Sequence, residues 1–89
     1  MNREKFHNAL ALLLGYERIV RDKRITIAVD DSDDPWVILK VQDHPEVIRI
    51  KASNAKIEFE LSEIPALQGD ISIIADAVHH AYDIANKAF

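Results

Sequence analysis

The chain has 89 residues with no cysteine, two glycines and a formal charge of −4, and its pI lies near 5.4. That length makes one domain, residues 1–89, which buries only about 60 to 65 % of the surface its unfolded form exposes. The missing cysteines exclude disulfides, thiolate zinc sites, iron–sulfur clusters and cysteine nucleophiles, and two glycines exclude a P-loop or a dinucleotide fingerprint. With 48 % hydrophobic residues the composition is that of an ordered globular chain. The acidic balance disfavours broad binding to nucleic acid or anionic membrane, which rewards an excess of Lys and Arg. No charged, apolar and small-residue pattern at the start points to export, and the longest apolar run, Ala9 to Leu14, is far below the roughly 20 residues that span a bilayer. The expectation is a cytoplasmic, soluble protein.

Arg3 to Leu14 is rich in Ala and Leu, with Phe6, Ala9, Leu10 and Leu13 at helical spacing, and predicts a helix that stops at Gly15. The stretch from Tyr16 to Lys23 reads either as helix, since Tyr16, Ile19 and Val20 loosely extend the stripe, or as an extended segment turning at Asp22 and Lys23. The reading adopted is irregular structure beyond Gly15.

From Arg24 to Ser62 apolar and polar residues alternate, which predicts four consecutive strands. The core-facing set is Ile25, Ile27 and Val29, then Val37, Leu39 and Val41, then Ile48, Ile50 and Ala52, then Ile57, Phe59 and Leu61. Connections at Asp31 to Pro35, Asp43 to Glu46 and Ser53 to Lys56 are short and built from turn-forming residues, so the strands form an antiparallel meander. For the last hairpin, a register with Lys51 opposite Glu58 and Arg49 opposite Glu60 places opposite charges across the strands, and is preferred to one that faces Lys51 against Lys56.

Glu63 to Gly69, with Pro65, reads as a loop, and Asp70 as the cap of a long last helix that runs nearly to Phe89. Ile71, Ile74, Ala75, Val78, Tyr82 and Ala85 form its main stripe. Ile73, Ala77, Ile84 and Ala88 lie beside that stripe, so apolar surface covers about half the circumference. Either the first helix or another subunit must cover the remainder. The fold class is α+β: helix, four-stranded antiparallel meander and C-terminal helix (α-β-β-β-β-α), with both helices on the apolar side of the sheet as a two-layer sandwich.

The chemistry-bearing residues are few. Asp76, His79, His80 and Asp83 on the last helix pair a carboxylate with an imidazole at four-residue spacing, a pattern that suits metal binding or proton exchange in a hydrolytic enzyme. The plainer reading is an amphipathic helix's polar side: His79 and His80 point about 100° apart, whereas a two-histidine helix site wants them four apart. His7 and His44 are too isolated to complete it. Asp30, Asp31, Asp33 and Asp34 could offer oxygens to a hard cation, but an EF-hand needs a central glycine and a glutamate at its twelfth position, which counted from Asp31 is Gln42. An acidic hairpin turn is the better reading. Ser32, Ser53, Ser62 and Ser72 sit in no nucleophile elbow.

The outer face of the sheet carries Arg24, Thr26, Ala28, Trp36, Ile38, Lys40, Val47, Arg49, Lys51, Lys56, Glu58 and Glu60. Trp36 and Ile38 are the misfits there: the chain's only tryptophan beside an isoleucine on a nominally wet face reads either as an interface anchor or as a strand end that the first helix or the N-terminal segment folds over, or that is simply part-exposed. Nearby cations could attract phosphate, but a single-stranded nucleic-acid platform wants several stacking aromatics. The sequence implies no catalytic residue, metal or cofactor. It reads as a small protein-interaction module, adaptor, chaperone-like or inhibitory, acting as a homodimer with partner-binding residues Trp36, Ile38, Arg49 and Lys51. A metal-binding or hydrolytic enzyme using Asp76, His79, His80 and Asp83, and nucleic-acid binding through the outer face, are the alternatives.

Overall fold

The computed structural model describes residues 1–22, 24–44, 47–59 and 71–87, apart from the side chains of Ile19 and Phe59. The expected core roles of Phe59 and Leu61, the pairing of Glu60, the loop with Pro65, the cap at Asp70 and the stripe position of Ala88 lie outside what is described.

Helix α1 spans Arg3–Gly15. It begins because Asn2, in extended conformation, accepts the Lys5 N–H on its side chain at 3.0 Å, satisfying one of the donors that a first turn leaves unpaired. Its buried residues are Phe6, Leu10 and Leu14, with Ala9 and Leu13 half-buried. The stripe therefore sits one step round from the expected one. Beyond Gly15 the chain is not irregular: Arg18–Asp22 form a short helix, α2. Successive three-residue bonds from Glu17 N–H to Leu14 O and from Val20 N–H to Glu17 O wind it. Its Val20 packs on the core, whereas Tyr16, expected to extend the stripe, is 78 % exposed.

The sheet follows the expected order. Strands β1 (Ile25–Val29), β2 (Trp36–Val41), β3 (Val47–Lys51) and β4 (Ile57–Phe59) form one four-stranded antiparallel sheet with neighbours in chain order. Val37, Leu39, Val41, Ile48, Ile50 and Ala52 are buried on its inner face, as alternation requires. Helix α3, Ile71–Asn86, buries Ile74, Ala75, Val78, Ala81 and Ala85. Its beginning and end fit the expected long helix. The Asn2 N–H donates to Ala85 O at 3.3 Å, tying the start of α1 to the end of α3. Both helices pack on the inner face, where one cluster joins Phe6, Leu10 and Leu14 to Val37, Leu39, Ile48, Ile50, Ile74 and Val78. Thus α1 covers part of the second stripe of α3: Ala77 and Ile84 are half-buried, while Ile73 remains 45 % exposed. No helix among the described residues is long and apolar enough to cross a membrane.

One expectation fails in the last hairpin. Arg49 faces Glu58 and Ile50 faces Ile57, and the Lys51 N–H donates to Lys56 O at 2.8 Å. Lys51 is therefore opposite Lys56, the register that charge pairing disfavoured. Both registers keep the same side chains on the inner face, because they differ by two residues, so the hydrophobic pattern cannot choose between them. The turn chooses. Ala55 adopts a left-handed φ of 58°, its N–H bonds Lys51 O at 2.9 Å, and Asn54 Oδ1 accepts the Lys56 N–H at 3.0 Å. The two ammonium groups then avoid each other: Lys51 reaches Asp34 and Lys56 reaches Glu58.

Candidate functional site

Antiparallel register brings the four partner-binding residues of the sequence reading together. Trp36 lies opposite Lys51 and Ile38 opposite Arg49 on adjacent strands β2 and β3. All four are half-buried. The Lys51 ammonium sits 5.0 Å from the centroid of the Trp36 ring and the Arg49 guanidinium 6.0 Å from it, both within the range where a ring quadrupole attracts a cation. Ala28 flanks Ile38 on β1, and Glu58 flanks Arg49 on β4, where Arg49 Nη2 approaches Glu58 Oε2 at 3.7 Å. No described helix crosses this face. Trp36 and Ile38 thus form an apolar stripe bordered by cations on the outer side of the sheet.

The acidic loop supports one end of this surface. Asp34 accepts hydrogen bonds from the Ser53 N–H at 3.1 Å and the Ser53 hydroxyl at 2.7 Å. Lys51 donates to the Asp34 carbonyl at 3.0 Å and lies 3.7 Å from its carboxylate. One aspartate therefore joins the first loop to the last hairpin turn and fixes the cation that covers Trp36. Asp30 is used locally: it accepts from the Ser32 N–H and hydroxyl at 3.1 and 2.7 Å. Partial burial pushes its carboxyl up, but the bonds from Ser32, a backbone bond to Trp36 and the Lys51 charge outweigh that and hold it below its ordinary 3.8. Arg3 of α1 donates to the carbonyls of Asp30 and Ser32 at 2.8 and 2.9 Å and approaches Asp31 at 3.7 Å. These carboxylates are loop fasteners, as a turn reading expects.

On α3, His79 does not gather ligands. Its Nδ1 lies 3.1 Å from Ala52 O, which can only accept, so Nδ1 carries the proton and the ring fastens α3 to the end of β3. Its Nε2 lies 3.6 Å from Asp83. Asp76 and His80 are exposed. Among the described residues no three His, Asp or Glu side chains come together in a group able to hold a metal ion.

Sequence reasoning missed the Asp34 to Ser53 bracket and the His79 to Ala52 link. Each joins positions far apart in the chain, so neither leaves a local spacing signal. The helix surface also holds a shallow groove of about 330 Å³ between α1 and α3, lined by Lys5, Asn8, Ala9, Leu12 and Ile84. Leu12, 60 % exposed, stands in it. Comparison with protein-family models, with curated proteins and with solved structures gave no match. The functional reading therefore rests on the residues themselves.

Proposed function

We propose that this chain is a small protein-interaction module, homodimeric and cytoplasmic, that engages a protein partner through the outer face of its sheet and performs no catalysis. The observation that carries the reading is the Trp36 and Ile38 stripe on the outer face of the sheet, half-buried among the described residues, with Lys51 and Arg49 ordered beside the indole. An indole with preset cationic neighbours loses little freedom on binding, and Trp and Arg are the residues most enriched where binding energy concentrates.

Nucleic acid remains the second reading, because Arg24, Lys40 and Lys56 share this face as well. Against it, Lys51 and Arg49 already hold Asp34 and Glu58, and a phosphate would have to displace those carboxylates.

The test is affinity capture from cells with the wild-type chain beside Trp36→Ala, both checked for equal thermal stability. A protein that is retained by wild type and lost with Trp36→Ala supports the reading. Equal retention by the two chains defeats it. Retention of nucleic acid with a steep salt dependence, lost on Arg49→Ala and Lys51→Ala, transfers the surface to the second reading.

A further inference from the structure

β1 is one of the two outer strands of the sheet, with α2 against it. The Asp30 N–H donates to Trp36 O at 3.2 Å, which fixes the alternation of the β1 and β2 ladder. Thr26 and Ala28 exchange hydrogen bonds with Lys40 and Ile38, while Ile25, Ile27 and Val29 turn their N–H and C=O groups away from β2. Among the described residues no strand pairs with those groups, which line the outer edge of the sheet. Proteins commonly blunt such an edge with lysine, proline, a bulge or a very short strand. β1 has none of these: it reads Ile-Thr-Ile-Ala-Val. The strand at the other edge, β4, is described over Ile57–Phe59. Beside β1 runs a cavity of about 220 Å³ lined by His7, Leu10 and Ala11 of α1 and by Ile27, and Ile27 and Val29 are half-buried rather than sealed.

We infer that the homodimer forms by antiparallel pairing of β1 with β1 of a second copy about a two-fold axis at Ile27, giving one continuous eight-stranded sheet from two four-stranded ones. The inference rests on the homodimeric reading above and names its surface. The occupant is a second copy because β1 is complementary to itself. With Ile27 facing Ile27 of the second copy, Ile25 faces Val29 and Val29 faces Ile25, so every outward N–H and C=O of these residues finds a partner. Sliding by two residues either way leaves part of that set unpaired. The same register brings Arg24, just before β1, level with Asp30 of the second copy, just after it, at both ends. Paired residues share a face, so the inner-face Ile25, Ile27 and Val29 continue the core across the axis, and the α1 grooves of the two copies meet over it. Both Trp36 surfaces then lie on one face of one sheet, which makes the module bivalent.

The test uses residue 27 as its own partner. Ile27→Lys and Ile27→Glu each place like charges against each other at the axis. Each chain alone is expected to sediment as a folded monomer at concentrations where wild type is a dimer. An equimolar mixture of the two is expected to recover the dimer, because lysine then meets glutamate. A wild-type chain that stays monomeric at high micromolar concentration overturns the proposal, as does a dimer unaffected by either variant or a mixture that does not recover. Should the variants fail to fold, amide hydrogen exchange on wild type decides. The N–H groups of Ile25, Ile27 and Val29 should be protected alongside those of Thr26 and Ala28, and the protection should fade on dilution. Fast exchange at the three outward amides at every concentration overturns the pairing. Trp36→Ala should leave the dimer intact, so loss of partner binding and loss of dimerisation read out separately.

Discussion

The two faces of the sheet are built from the same strands yet are held by different physics. On the inner face Val37, Leu39, Ile48 and Ile50 have no exposed surface at all, and their stabilisation is apolar burial multiplied by close packing. On the outer face, one residue along each strand, Trp36, Ile38, Arg49 and Lys51 remain half-exposed and are held by an indole between cations and by carboxylates at either end. The inner face tolerates few changes because every atom has neighbours. The outer face keeps its order through a handful of directional contacts.

The largest expected effect tests that contrast directly. Leu39→Ala on the inner face should cost about 2 to 5 kcal/mol, by lost transfer energy and a cavity, while Ile38→Ala beside it should cost about 1 kcal/mol, in line with half-burial. Denaturant midpoints of the two variants at a common slope measure both. Equal losses would mean that the outer face is packed as a core and would break the distinction.

That distinction also marks how far the sequence could be read. Inner-face residues were legible because burial imposes a period of two: Ile25, Val37, Leu39, Val41, Ile48, Ile50 and Ala52 are buried as alternation requires, while Ile27, Val29 and Ile57, expected with them, are half-buried. The stripe of Trp36 and Ile38 was legible for the opposite reason, as a departure from the period. What alternation leaves open is register by two residues: Arg49 faces Glu58 rather than Glu60 because the left-handed Ala55 closes a tighter turn. Helix α2 escaped because its winding depends on bonds to Glu17 and Leu14 and on packing of Val20, not on a stripe of its own. The Asp34 bracket escaped because its partner Ser53 is distant in sequence.

Asp34 offers the next effect in size. Asp34→Ala removes two acceptor contacts to Ser53 and the anchor of Lys51, and hydrogen bonds to a charged group support a loss of roughly 1.5 kcal/mol. If the carboxylate holds the cation over the indole, the variant should also shift the emission of Trp36, the chain's only tryptophan. An unchanged spectrum would detach the loop from the outer face. Smaller again is the indole contact itself: a double-mutant cycle with Trp36→Leu and Lys51→Met should return a coupling of about 0.5 to 1 kcal/mol. A coupling indistinguishable from zero would mean that proximity at 5.0 Å contributes nothing and that Lys51 is placed by Asp34 alone.

The smallest effect carries a sign. The Asp30 carboxyl titrates below its ordinary 3.8 because the Ser32 bonds, the backbone bond to Trp36 and the Lys51 charge together exceed the opposing effect of burial. A carboxyl whose folded value is depressed contributes stability above its unfolded value and loses it as pH falls through the folded one. Asp30→Asn should therefore lower stability at neutral pH, by less than about 1 kcal/mol for a group so open to solvent. The gap between variant and wild type should close as pH falls from about 4 toward 2. Urea unfolding of both chains across that range is the measurement. A gap that stays constant with pH would assign the effect of the substitution to turn geometry, through the Ser32 bonds, and would remove charge from the account of how this loop braces the outer face.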